Sequence, residues 1–247
     1  MKKLAARGPL PRRGRLRALA GLLVATAMLA IGAQAASGET VPATSPPTSI
    51  KLSTLSLAGI PQHNETLGSS RAPVKMLYFG DPQCPFCLEF HKRVLPALVR
   101  KYVRAGKLQI QWHGFVVVGP ESVTGDRFIA AAGRQDHLWD VLDDIMANQG
   151  PENSGWLSAP LLEQIGASIA NFDVGAAMAA AGSPAIKKEL AADMQQGKNR
   201  DIVGVPAILY GRRGGPLDFL DAANYTPGDF ERPIDRLLRN AANHCCP

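Results

Sequence analysis

The sequence predicts an α/β fold in which a strand–helix–strand core is interrupted by a block of helices. Three observations carry that expectation. A short apolar run, Val74–Gly80, bounded by Pro73 and by Gly80-Asp81-Pro82, reads as a buried strand. Behind it Cys87, Phe90, Val94, Leu98 and Tyr102 recur at three- and four-residue steps, one face of a helix, before a second apolar run over Lys107–Val118. From about 120 to about 200 the periodicity is helical, and strand patterning resumes only at Val203–Gly211.

The N-terminal segment sets the compartment. Residues 1–17 hold seven basic side chains (Lys2, Lys3, Arg7, Arg12, Arg13, Arg15, Arg17) and no acidic one. Ala18–Gly32 is apolar and Ala33-Gln34-Ala35 has the small-x-small form of a cleavage site, so residues 1–35 read as a secretory signal peptide. The competing reading is an uncleaved anchor, because charge is absent from Ala18 to Gly38, close to the ~17–25 residues of a membrane span. Either way the bulk of the chain is expected to be extracytoplasmic. Without the leader the formal charge of +6 falls to about −1. The basic balance therefore belongs to the leader, and a nucleic-acid binder, which needs a basic face on the mature domain, is excluded.

Residues 36–58 include the Pro/Ser/Thr stretch Ser37–Ser49 and are expected to form a flexible linker. One large domain is expected over 59–243, with a C-terminal tail at 244–247. Asn64-Glu65-Thr66 is formally a glycosylation acceptor, relevant only in a eukaryotic secretory pathway.

Pro96 should kink the helix behind the cysteines, and Gly106 should end it. Helices are expected over Thr124–Gly133, Asp136–Gln149, Ser158–Ala170 and Ser183–Gln196. The second places Leu138, Leu142, Ile145 and Met146 on one face; the fourth has Ser183 as its cap, Pro184 behind it and Gly197 at its end. Val203–Gly211 then reads as a strand, Arg212–Gly215 as a turn and Pro216–Leu220 as its antiparallel partner. A last helix follows Thr226-Pro227-Gly228-Asp229, with Phe230, Ile234, Leu237, Leu238 and Ala241 at helical spacing and Pro233 blurring its start.

Cys84 and Cys87 are half of the four cysteines in the chain, packed into one tetrapeptide. Such a pair serves a redox disulfide, half of a zinc site or a structural staple. Its place at the first turn of the helix in a strand–helix–strand unit marks a thioredoxin-like redox motif. Unpaired amides and the dipole end of a helix favour an anion there, and thiolates so placed have pKa values of ~3.5–7.5. Cys84 is thus expected to be the exposed nucleophile and Cys87 the shielded resolving partner. Pro85 costs nothing in a first turn. A zinc site would want a second spaced C-x-x-C, which the chain lacks.

The other candidates read as structural. Cys245 and Cys246, with His244, could form a relay or a soft-metal site, but adjacent cysteines bond only with strain and a frayed tail is the simpler expectation. Asp81 and Glu89 are expected to be solvated or capping, His91 and His113 to be packed or surface imidazoles, and Trp112, Trp139 and Trp156 to be core or junction residues.

"DPQCPFC" after a strand, then a helical insert, then "GVPAILYG" before a hairpin and a terminal helix, together resemble the DsbA-like thiol:disulfide oxidoreductases. The similarity runs from about Gly59 to about Asn240 and includes "GIPQHNETLG" and "LPALVRKYVRAGKLQ". It implies a thioredoxin-like core with an inserted helical subdomain, a redox-active Cys84–Cys87 disulfide, and neither cofactor nor metal. It also implies a cis Pro206 against the cysteines, with Val205, Pro206, Pro85 and Phe86 as the substrate-binding positions. Two departures stand out. Relatives often carry a buried carboxylate six residues before the first cysteine, where this chain has Tyr78, and the Pro-Phe dipeptide lacks the histidine of DsbA itself. Any stabilisation of a Cys84 thiolate is therefore expected mostly from the helix end.

The expected activity is that of an exported oxidoreductase donating its disulfide to reduced or misoxidised exported proteins. By the same resemblance it would be re-oxidised by a quinone-linked membrane partner of the DsbB-like or vitamin K epoxide reductase-like kind. A reductase or isomerase of the same fold is the alternative, and a thiol-based metal-binding or delivery module the alternative from another class. A monomer is expected, because family isomerases dimerise through a separate N-terminal domain that the 23 residues of Ala36–Ala58 are too few to supply.

Overall fold

A computed structural model describes residues 49–220 and 224–242 of the chain. The leader, most of the expected linker, and His244, Cys245 and Cys246 lie outside the described residues. Among the described residues the sheet has six strands: β1 (Gln62–His63), β2 (Thr66–Leu67), β3 (Val74–Gly80), β4 (Leu108–Gly114), β5 (Ala207–Arg212) and β6 (Leu217–Phe219), in the order β1-β2-β4-β3-β5-β6. β3 lies at its centre, parallel to β4 from Val74↔Leu108 to Gly80↔Gly114 and antiparallel to β5 from Val74↔Arg212 to Phe79↔Ala207. A central strand is covered on both faces, which is why β3 reads as a nearly unbroken apolar run. β4 stops four residues short of its expected end at Val118. Phe115 donates its amide to the Gly80 carbonyl (2.8 Å), and the amides of Val117 and Val118 then go to the Asp81 carboxylate instead of a strand partner. β1 and β2 have two residues each, too few to leave a period in the sequence.

The helix behind β3 alternates between two registers. Pro85–Glu89 (α1) and Leu95–Leu98 (α2) are α-helical, while Phe90–Val94 and Val99–Val103 are π-helical. The helix continues past Pro96, as expected, and the turn ahead of the proline is π-helical. That turn widens, with Leu95 donating to the Phe90 carbonyl five residues back, which relieves the crowding a proline ring brings to a tight helix. The alternation has a second effect. α turns take 3.6 residues and π turns take more, so residues spaced by four stay on one stripe. Phe90, Val94, Leu98 and Tyr102 form one such stripe, Cys87, His91, Leu95, Val99 and Val103 the next, and all are buried.

Between β4 and β5 lie α3 (Pro120–Gly133), α4 (Leu138–Ala147), α5 (Ala159–Ser168), α6 (Val174–Ala181) and α7 (Pro184–Lys198). α6 has no counterpart in the sequence reading. Its alanine-rich stretch offers no apolar period, and its one local signal is the cap, Asp173, which accepts from the Ala176 amide at 2.8 Å. α8 (Pro227–Ala242) begins ahead of Pro233, fixed by Thr226, whose amide and hydroxyl both donate to Asp229 Oδ2. Phe230 of α8 packs on Phe90 with ring centroids 5.5 Å apart.

The linker expected over 36–58 is corrected in its last residues, which are docked on α4. The Lys51 amide donates to Asn148 Oδ1 (2.7 Å), Asn148 Nδ2 donates to the Lys51 carbonyl (2.7 Å), and the Ser53 amide donates to Asp144 Oδ1 (2.6 Å). Acceptors at the end of α4 satisfy an extended backbone that composition alone marks as tether.

Candidate active site

The loop that leaves β3 is organised by Asp81. The sequence suggested a solvated or capping carboxylate; it is fully buried instead and accepts four hydrogen bonds. Oδ1 takes the Gln83 amide (2.8 Å) and the Ser122 hydroxyl (2.6 Å), and Oδ2 takes the amides of Val117 (2.8 Å) and Val118 (2.9 Å). Gln83 and Gln149 extend the clamp. Gln83 Nε2 donates to Ser122 Oγ and Gln83 Oε1 accepts from the Asn153 amide, while Gln149 Nε2 donates to the carbonyls of Pro82 and Cys84. The helical insertion thus holds the turn that presents the cysteines.

Cys84 caps α1 with extended backbone (φ −70°, ψ 121°), and Pro85 is the first helical residue. Both thiols are free in this structure. Cys87 is fully buried, and Cys84 is itself only 5 % exposed, which corrects the expectation of an exposed sulfur. The covering group is the Val205 carbonyl, 3.5 Å from Cys84 Sγ. The Val205–Pro206 peptide is cis, and Tyr225 donates its hydroxyl to the Pro206 carbonyl at 3.2 Å. Phe86, between the two cysteines in sequence, is 64 % exposed, and Val203, two positions ahead of Val205, is 98 % exposed.

The two sulfurs are electrostatically unlike. The Cys84 pKa is lowered from 9.0 to about 7, first by a hydrogen bond from the Cys87 thiol and then, against the cost of burial, by the amides of Cys87 and Phe86; Asp81 works in the opposite sense. The helix end therefore helps a Cys84 thiolate, but the neighbouring thiol helps it more, which corrects the expectation from sequence. Burial pushes the Cys87 thiol well above its ordinary value, and the pairing with Cys84 raises it further.

Around the pair, Tyr78 is fully buried, and its ring lies against those of Phe90 (4.7 Å), Trp112 (4.9 Å) and His91 (5.8 Å). Its hydroxyl makes no hydrogen bond of ordinary geometry but interacts with Cys87. His91 and His113 are packed imidazoles, each held by a carboxylate: His91 Nδ1 lies 2.7 Å from Asp143 Oδ1 and His113 Nδ1 2.6 Å from Asp193 Oδ1. Glu89 is half exposed beside Arg93. Trp112 and Trp139 are buried in the core and Trp156 is half-buried.

One buried acid has no counterpart in the sequence reading. Asp126 of α3 is 1 % exposed and accepts from Trp112 Nε1 at 3.3 Å, and burial raises its carboxyl to about 8. Its traces in the sequence are Gly80 and Gly114: a Cβ at Gly80 would collide with the Trp112 ring, and one at Gly114 with the Asp126 carboxylate. Among the described residues no group of three or more His, Cys, Asp and Glu side chains is placed to hold a metal.

The description "Thioredoxin" belongs to the family model that matches residues 62–215. A probable disulfide bond formation protein D of Bacillus cereus is 30% identical over 182 residues, covering 71% of this chain and 79% of the relative. Its Bacillus anthracis counterpart is also 30% identical, over 71% of this chain and 78% of its own length. Among solved structures, oxidised BdbD from Bacillus subtilis superposes with a TM-score of 0.62 at 18% identity, over 77% of this chain and 99% of its own. Wolbachia pipientis alpha-DsbA1 gives 0.63 at 18% identity, over 77% and 96%. Those two likenesses carry the fold. The family match and the 30% relatives carry the rest, and with a C-x-x-C pair at the head of a helix behind the central strand, this chain belongs to the DsbA-like thiol:disulfide oxidoreductases of the thioredoxin family.

Proposed function

We propose that the protein is an exported oxidase that passes its Cys84–Cys87 disulfide to reduced substrate proteins. The asymmetry of the two sulfurs carries this reading: Cys84 sits at the recess beside the Val205 carbonyl with a lowered pKa, and Cys87 is sealed behind it with a raised one. A substrate thiolate attacks Cys84 Sγ, the Cys84–Cys87 bond breaks, and Cys87 leaves with the electron pair and takes up a proton. A second substrate thiolate then attacks the sulfur of the first, the substrate disulfide forms, and Cys84 leaves as thiolate. Phe86 and Pro85 flank the attacked sulfur, and the backbone of Val205 with Pro206 receives the extended substrate segment. The exposed side chains of Phe86 and Val203 are apolar, as a site for unfolded chains requires.

With a pKa of about 7, only about half of Cys84 is thiolate at pH 7, so it stabilises the reduced form modestly. The direction of transfer therefore rests on the relatives named for disulfide bond formation. The leader argues for an extracytoplasmic site of action, and a membrane quinone-linked partner would restore the disulfide. Among the described residues no helix is long and apolar enough to cross a membrane.

Two measurements test the reading. Alkylation of Cys84 in the reduced protein should titrate with a midpoint of about 7; a midpoint at the ordinary ~8.5 of a free cysteine removes the activated sulfur. Equilibration of the Cys84/Cys87 couple with glutathione should give a potential well above the thioredoxin value of about −270 mV, and a value at or below it would make the protein a reductase.

A further inference from the structure

Without its leader the chain is close to neutral, and that sum hides an uneven spread of charge. Six cations gather at the end of the sheet where β3 begins. Arg71 and Lys75 flank Pro73 and Val74 in sequence. The Lys107 carbonyl accepts the Val74 amide (3.2 Å), Arg213 donates its amide to the Pro73 carbonyl (2.9 Å), and Arg212 lies opposite Val74 in the β5 register. Arg200 follows α7, two residues before Ile202, which packs with Leu77 of β3 and Leu209 of β5. Arg71, Lys107, Arg212 and Arg213 are exposed, and Lys75 and Arg200 are half-buried.

Elsewhere carboxylates answer such side chains. Lys101 is held by Glu231 and Asp235, Arg134 by Glu189, and Arg232 by Asp229. Among the described residues none of the six has an ion pair. Arg213 gives its guanidinium to neutral acceptors, the Ala72 carbonyl (2.8 Å) and Gln109 Oε1 (2.9 Å). Glu65, the carboxylate that Lys75 senses, accepts from Gln111 Nε2 at 2.8 Å. The crowding registers on Lys75, whose pKa is lowered first by burial and then by Arg213, with Arg200 adding to the effect and Glu65 opposing it. Like charges so placed repel one another, and an external anion relieves the repulsion.

We propose that this end of the sheet is a docking surface for an anionic lipid bilayer. Lys107, Lys75 and Arg212 stand at the ends of three adjacent strands, β4, β3 and β5, so the charge spreads across about 10 Å of sheet. That is wider than a single phosphate and matches a plane of headgroups, to which each basic side chain adds its own attraction. The leader read in residues 1–35 delivers the chain to a membrane, which decides for lipid phosphates over those of a nucleic acid. Cys84 lies beyond the opposite end of β3, whose seven residues rise ~3.3 Å each. Docking therefore holds the Cys84 recess about 20 Å or more above the headgroups, open to soluble chains. Exchange with a membrane partner would need the domain to let go and turn, which a contact made of screened surface charges permits. The surface is independent of the sulfur chemistry, so its failure would leave the proposed function standing.

Lysine acetylation of the full chain, mapped by mass spectrometry, reads the contact locally whatever the leader does. Vesicles of phosphatidylcholine mixed with phosphatidylglycerol should protect Lys75 and Lys107, while the exposed Lys92 on the helix behind the cysteines stays reactive. Phosphatidylcholine alone should protect neither, and added salt should restore the reactivity of both. Lys107→Gln combined with Arg212→Gln removes two exposed cations and spares Arg213, which holds other groups. Each lost cation should weaken docking about fivefold, so Lys75 in the double variant should need about 25-fold more lipid for the same protection. Cys84 alkylation should be unchanged. Equal protection by neutral vesicles, or protection of Lys75 that the double variant keeps in full, overturns the proposal. Inorganic phosphate protecting both lysines at the same phosphate concentration would make this a small-anion site. Duplex DNA protecting them more strongly than the vesicles would make it a nucleic-acid face, and either result overturns the lipid surface.

Discussion

Replacing Cys84 by serine should take disulfide transfer down to the background of uncatalysed exchange, a loss on the order of 10³-fold or more, as when a covalent nucleophile is removed. Cys87→Ser should do something different: transfer stops at the first exchange, and mixed disulfides with substrate accumulate through Cys84. The reason is access. Cys84 lies at the recess beside Val205, whereas Cys87 is fully buried with a thiol pushed well above its ordinary pKa. Because the Cys87 thiol is the largest single influence lowering Cys84, a Cys87→Ala protein, which has no donor there, should alkylate with a midpoint nearer to 9.0 than to about 7. Non-reducing electrophoresis and intact mass report the trapped species. Equal trapping by both single variants would reverse or erase the roles.

The parts of this site that the sequence makes legible are those with local signals. The C-x-x-C pair, the strand before it and the Val-Pro ahead of β5 each stand in a short window, and the structure brings Cys84 and Val205 together although 121 positions separate them. The environment that tunes the sulfurs is not local. Asp81 looks like any turn aspartate until Ser122 and the amides of Val117 and Val118 converge on it from more than thirty residues away. His91 looks like a polar break in a helical face, and only the π turns of Phe90–Val94 and the carboxylate of Asp143 show why it is buried. Ser53 reads as linker because its partners are side chains at the end of α4. Composition and periodicity carry the elements, while the pairing of buried polar atoms is decided by tertiary approach.

Asp126 gives the clearest consequence of such an approach, and its prediction concerns stability. The folded protein keeps this carboxyl protonated up to about pH 8, chiefly because burial disfavours its charge, with Asp193, Asp81 and Glu189 adding to the effect against the Trp112 hydrogen bond. An unfolded chain releases the same proton near 3.8. Between those values the folded state holds one proton more than the unfolded state, so raising the pH costs stability by up to about 1.4 kcal/mol per unit. Stability from this site is therefore full in acid and is lost progressively up to pH 8. Asp126→Asn keeps an acceptor for Trp112 Nε1 and removes the titration. It should match the wild type near pH 4 and exceed it by about 2–4 kcal/mol at pH 7–8, read from urea unfolding of the reduced protein across that range. A gap between the two proteins that stays constant with pH would mean that Asp126 does not hold its proton in the folded state, and the buried acid would have to be ionised and paired.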